Sequence, residues 1–197
     1  MPPADDYLQL PLEELLEGLA SPEPAPGGGF AAAVALAMAA ALVSMAARHS
    51  ATQWAEARGA GAQAETLRAR AASLAQHNTE AYLAARAALE GNTQSESRYR
   101  DQELAAALSR AAEIPLEIGT ASANVATLAA EVAANGEPSL RADCAVAASL
   151  AVAAAQAAAA LVEVNLSTTP GDERIARARQ SVTDASEALD RARAQVA

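Results

Sequence analysis

The sequence predicts an all-α protein, a homo-oligomeric multi-helix bundle with two buried Ala-rich central helices, formed by a single domain over residues 1–197. Three observations carry this expectation. Hydrophobic residues make up 52% of the chain and are dominated by alanine, the strongest helix former. Aromatic residues are only 3%, and β-branched side chains are too sparse to build a sheet. Apolar positions recur at three- and four-residue steps through most of the chain. An alanine core buries little area per side chain, so at ~25 cal/mol per Å² it stabilises weakly unless many helices, and a second subunit, share it.

Pro11 suits a first helical position, and Leu12, Leu15, Leu16 and Leu19 follow at amphipathic spacing. Residues 21–24 end this helix and open the loop Pro24-Ala25-Pro26-Gly27-Gly28-Gly29-Phe30. The second helix starts within the glycines, at about Gly29, and runs through an Ala-rich stretch to about Ser50. Arg48, His49 and Ser50 mark its emergence from the core, and a histidine there reads as a solvated helix-end residue. Trp54, in the connection that ends near Gly59-Ala60-Gly61, either caps the bundle or lines a ligand pocket.

The third helix spans about 62–89, with Leu67, Ala71, Leu74, Ala81, Ala85 and Leu89 on one stripe and Asn78 among them. A polar break at 91–97 precedes a fourth helix over 99–113, with Leu104, Leu108 and Ala111 on one face. Pro115 lacks an N–H, so the chain kinks or restarts there. The fifth helix continues past Val132 to a left-handed cap at Asn135-Gly136. Ser139 caps a sixth helix to about Leu166, whose stripe is Asp143, Ala147, Leu150, Ala154, Ala157, Leu161 and Val164. After Pro170-Gly171-Asp172, a last helix carries Ile175, Ala178, Val182, Ala185, Leu189, Ala192 and Val196. That heptad seam either packs back on the bundle or pairs between subunits.

The formal net charge is −10, and all 14 basic residues are Arg. This disfavours nucleic acid and anionic membranes as partners and removes lysine Schiff-base chemistry. The single cysteine, Cys144, reads as a small core residue and fits a reducing cytoplasmic location. The first ten residues have no basic segment and do not read as a signal peptide. Two Ala-rich runs, 30–47 and 145–162, are long enough to raise the membrane question. They lack flanking aromatic belts, and the second contains Gln156, so they read as core helices of a soluble bundle.

Isolated His49, His77 and Cys144 provide no metal-ligand spacing, and no nucleotide-binding or serine-hydrolase motif occurs. The expected set is therefore no metal and no permanently bound cofactor. Gly27, Gly28 and Gly29 open a helix whose first N–H groups lack acceptors, which suits a carboxylate or phosphate, or else simply permits a tight turn. Asn78 on a buried face needs a partner, either substrate or another helix, and is a better candidate than His77. Asp143 lies in a first turn, where the helix dipole favours a carboxylate.

The order of SPEPAPGGG, an Ala-rich helix ending MAARHS, and then AAEIPLEI, RADCAVAASLA and VEVNL resembles the cyclodeaminase/cyclohydrolase family over residues 12–166. That family comprises the C-terminal domain of formiminotransferase-cyclodeaminase and free-standing methenyltetrahydrofolate cyclohydrolases. The resemblance implies an all-α homodimer acting on formimino- or methenyl-tetrahydrofolate by metal-free acid–base catalysis. Asp143 is then the proton-transfer group, Asn78 and Asn165 orient substrate, and the amides of Gly27, Gly28 and Gly29 hold an acidic group.

Departures from the family pattern are Phe30 in place of a small residue, Asn78 in place of a frequent Asp, Gly136-Glu137 in place of Gly-Asn, Ala142 in place of Ser, and Leu161 in place of Asn. An Asn cannot shuttle a proton as a carboxylate does, and the Phe30 ring is expected to narrow the pocket at the helix start. The alternative is a catalytically inactive helical oligomer of this fold that binds a folate or another acidic metabolite, or serves only in assembly. The residues do not choose between deamination and hydrolysis.

Overall fold

The computed structural model describes residues 4–91, 105–169 and 171–196. Among them are six α-helices: α1 (Leu12–Ala20), α2 (Gly28–His49), α3 (Ala57–Gly91), α4 (Glu113–Asn135), α5 (Arg141–Asn165) and α6 (Glu173–Arg193). A short helical segment, 105–111, leads into α4, and no strand occurs among the described residues. The expected polar break, the first half of the fourth helix with Leu104, the Leu89 side chain and Pro170 lie outside what is described.

The core lies where α2, α3, α4 and α5 meet, and it is built mostly of alanine. Ala33, Ala39, Ala40, Ala46 and Ala47 of α2 face Ala64, Ala71 and Ala75 of α3, Ala126 and Ala129 of α4, and Ala147, Ala151 and Ala155 of α5, all in one buried cluster. Small side chains let helix axes approach closely and leave little void. The α6 seam packs back on this bundle, burying Ala178, Ala185, Leu189 and Ala192 while Val196 stays exposed.

Several boundaries differ from those expected. Helix α3 begins at Ala57, through Gly59 and Gly61, because Ala57, Ala60 and Ala64 are buried and packing outweighs the low helix propensity of glycine. Pro115 produces a restart: Ala112 is a turn residue, and the proline sits in the first turn of α4, where its missing N–H costs nothing. Gly136 is extended (φ −90°, ψ −162°) rather than left-handed. A Cβ there would lie 2.5 Å from Ser50 Oγ, so crowding requires the glycine. Ser139 does not cap α5; it lies in a 3₁₀ turn, Pro138–Leu140, whose capping carboxylate is Glu137. Of the α1 stripe, Leu15 is buried but Leu12 and Leu16 are exposed.

The two Ala-rich helices are not buried all round. Both are long and apolar enough to cross a membrane by length and composition, with mean hydropathy of 2.2 and 2.0, yet only 56% and 50% of those windows is buried. The inward face of α5 is Cys144, Ala147, Ala148, Ala151, Ala155, Ala158 and Val162, about one residue off the expected stripe. Asp143 and Leu161 therefore lie at its edge, and Val146 and Val164 point outward. Met38 and Ala41 are the outward positions of α2. Cys144 is buried as expected, and burial together with neighbouring Asp143 pushes its thiol up to about 11.

α2 and α5 run antiparallel and are tied at one end by Ser50. Its hydroxyl, fully buried, donates to Ala46 O at 2.8 Å and accepts from the Glu137 N–H at 2.8 Å, just ahead of α5. Replacing Ser50 by Ala leaves that N–H without its acceptor. Urea unfolding of the Ser50→Ala variant is expected to show a loss of about 1–2 kcal/mol with an unchanged denaturant slope.

Candidate functional site

At the other end of α2 the helices open into a cavity of about 330 Å³. Four stretches of chain line it: the loop Pro24, Ala25 and Gly27 with Gly28 and Gly29 of α2; Asn78, Thr79, Tyr82, Ala85 and Arg86 of α3; Leu108, Ala111 and Pro115; and Leu161, Val164 and Asn165 of α5. Five of the six expected site residues, Gly27, Gly28, Gly29, Asn78 and Asn165, thus share one pocket. Asp143 does not join them within the protomer. It stands 22 residues before Asn165 on the same straight helix, about 33 Å away at 1.5 Å per residue.

The loop is held from the outside. Tyr7, in a 3₁₀ turn (Ala4–Gln9), donates its hydroxyl to Ala25 O at 3.3 Å, and its ring meets Phe30 edge-on with centroids 5.7 Å apart. Burial, reinforced by Glu23, raises the Tyr7 pKa and keeps it a hydroxyl donor. Phe30 is fully buried in the core and does not line the cavity, so its ring does not narrow the pocket as expected. One helical position turns Phe30 away from the opening that Gly28 and Gly29 face. Nothing in the sequence pattern marked Tyr7 as its partner.

Asn78 is pressed against Gly29. Any Cβ at Gly29 would fall on the Asn78 carboxamide, so glycine is needed there for close approach. The buried Thr79 hydroxyl donates back to Ala75 O at 3.3 Å and so belongs to its own helix. Asn165 has a structural task as well. Pro115 offers no N–H to the Ala111 carbonyl, and Asn165 Nδ2 donates to it at 3.2 Å. The neighbouring Ser109 carbonyl and hydroxyl each accept from the Arg174 guanidinium at 2.9 Å. Side chains from α5 and α6 thus hold the broken helix that forms the third wall.

The chemistry of the lining is one-sided. Its walls are largely apolar, its amides are Asn78 and Asn165, and its only charged side chain among the described residues is Arg86. No carboxylate, imidazole or thiol among the described residues lines it. His49 and His77 are both exposed, His49 contacting Met45 O and His77 contacting Ser73, and neither approaches the cavity. Trp54 is packed against the core elsewhere. Tyr82 and Arg86 were not singled out from the sequence, although they follow Asn78 at four-residue steps.

An all-helical bundle with an apolar cavity between a glycine-opened helix and a proline-broken one defines the class. A family model described as formiminotransferase-cyclodeaminase matches residues 11–184, and the chain belongs to that family. Its fold is shared with the crystal structure of formiminotetrahydrofolate cyclodeaminase from Thermotoga maritima, with a TM-score of 0.84 and 24% identity over 96% of each chain. No curated protein sequence matches significantly.

Two expectations follow from this geometry. Gly29→Ala is expected to lose about 1–3 kcal/mol by overpacking against Asn78, and Asn78→Ala should recover much of that loss in the double variant, as a cycle of urea melts would show. The second concerns Asp172, which caps α6. Its carboxyl is held down at about 2 by hydrogen bonds from the Arg174 guanidinium and then from the Arg174 N–H. Its unfolded value is about 3.9, so its contribution is complete above that pH and is lost as pH falls towards 2. Acid titration of stability should therefore be shallower between about pH 4 and 2 in Asp172→Asn than in the wild type.

Proposed function

We propose that the chain is an enzyme of folate one-carbon metabolism, a cyclodeaminase or cyclohydrolase acting on formimino- or methenyl-tetrahydrofolate without a metal or resident cofactor, and that it works as a homodimer in the cytoplasm. The observation that carries this reading is the convergence of Gly27, Gly28, Gly29, Asn78 and Asn165 on one cavity in a chain of this family. The α2 start offers N–H groups to an acidic group, and Asn78 supplies both a donor and an acceptor to a heterocycle.

In the deaminase direction, the second folate nitrogen adds to the one-carbon unit and loses a proton, and the departing nitrogen takes one to leave as ammonia. In the hydrolase direction, water adds and loses a proton as the ring opens. Both need a proton-transfer group; no carboxylate or imidazole among the described residues lines the cavity, and Asp143 of a second copy would supply one.

The outer face of α5 supports that arrangement. Ala142, Val146, Ala153, Ala160 and Val164 are exposed along one line. An apolar strip of this kind suits a self-complementary contact. A two-fold axis crossing α5 at Ala153 brings Val146 onto Ala160 of the second copy, and Ala142 with Asp143 onto Val164, which rims the cavity. That no carboxylate, imidazole or thiol among the described residues lines the cavity favours a second reading, a folate binder without turnover.

The near-ultraviolet absorbance of methenyltetrahydrofolate distinguishes them. Wild type is expected to consume it, or to form it from formiminotetrahydrofolate, and Asp143→Asn and the cavity-blocking Leu161→Trp should each abolish the rate. Dissociating and mixing the two inactive variants should restore roughly a quarter of the wild-type rate, because half of the dimers regain one intact site. Unaltered turnover by Asp143→Asn would remove its assigned role, no rescue on mixing would remove the shared site, and binding without any turnover by the wild type would leave the binder.

A further inference from the structure

Three side chains at four-residue steps on α3, Asn78, Tyr82 and Arg86, line the same cavity. Four residues exceed one helical turn by only about 40°, so the three form a gently winding rail, and Arg86 stands about 12 Å along the axis from Asn78. Their chemistry changes along that rail. Asn78, against Gly29, is an amide with both donor and acceptor capacity. Tyr82 presents an aromatic face and is 48% exposed, in a chain with only 3% aromatic residues. Arg86 is the sole charge among the described lining residues, and Ala85, Leu108, Leu161 and Val164 are apolar. Arg86 is not idle in the empty cavity, since it already has an interaction partner.

We propose that this rail measures the ligand: a hydrogen-bonding heterocycle seated at Asn78, a flat ring laid on Tyr82, and a carboxylate taken by Arg86, which makes Arg86 the residue that selects acidic folates over neutral ones. The inference rests on the folate reading above and assigns the acidic end of the molecule to Arg86 rather than to the α2 amides, which lie beside Asn78 at the heterocycle's end. A guanidinium binds carboxylate through paired N–H donors, a geometry that a carboxamide does not match and a lysine reproduces only as a point charge. An aromatic platform is indifferent to the charge at the far end, so Tyr82 contributes affinity without selecting the acid.

Calorimetric titration with 5-formyltetrahydrofolate and with its neutral glutamate diamide tests this. Wild type is expected to bind the acid about 10- to 100-fold more tightly than the diamide, the range for a hydrogen-bonded ion pair. Arg86→Gln should bind the two equally, Arg86→Lys should keep part of the preference, and Tyr82→Leu should weaken both by a similar factor. Binding of both ligands by wild type with the same preference in Arg86→Gln would overturn the role of Arg86 and leave the folate reading standing. Binding of neither ligand by wild type would overturn the folate reading itself, and this inference with it. Variants are compared at matched circular dichroism and thermal midpoint, and Arg86→Lys provides the comparison if Arg86→Gln does not fold.

Discussion

Close approach between helix backbones is the constraint on which the rest of this structure depends. The residues between α2 and its neighbours are mostly alanine, with Phe30, Leu36 and Val43 among them, and the small side chains let the helices pack closely. That economy has a cost. Small side chains bury little area, and α2 and α5 each leave an apolar face uncovered. The same constraint acts at the cavity, where Asn78 reaches the start of α2 because Gly29 has no side chain to block it.

The cavity is also a by-product of a broken helix. Pro115 interrupts the hydrogen-bond ladder between the 105–111 segment and α4, and two distant side chains repair it, Asn165 at Ala111 and Arg174 at Ser109. Asn165 thereby joins the stability of the wall to the composition of the pocket. Arg174 links the far end of the chain to it as well, through Asp172, Glu113 and Ser109. A residue that looks like a ligand-binding amide on its motif alone is therefore also part of the frame.

Much of the fold was legible in the sequence because helix periodicity and glycine and proline punctuation are local properties. The amphipathic α1, the glycine-opened α2, the restart at Pro115 and the α6 seam all follow from neighbouring residues. Where local signals misled, a tertiary contact had outweighed them. Gly59 and Gly61 entered a helix because the flanking alanines are buried, and Gly136 proved to be a crowding glycine because Ser50 packs on it. The α5 stripe was read about one residue off because alanines occupy nearly every position of that helix, leaving no polar face to set its orientation.

By itself the sequence determined the all-helical class and the place of the glycine-opened helix start, and singled out Gly27, Gly28, Gly29 and Asn78, since each depends on residue type and spacing along one helix; Asn165 came through the family resemblance. Only the tertiary structure decided that Phe30 faces Tyr7 in the core, that Tyr82 and Arg86 share the cavity with Asn78, and that Asp143 stands at the far end of α5 from it. Those are questions of which face a helix turns to its neighbour and of distance through space. In a chain where alanine fills both faces, spacing alone does not orient the helix; packing against the other helices does.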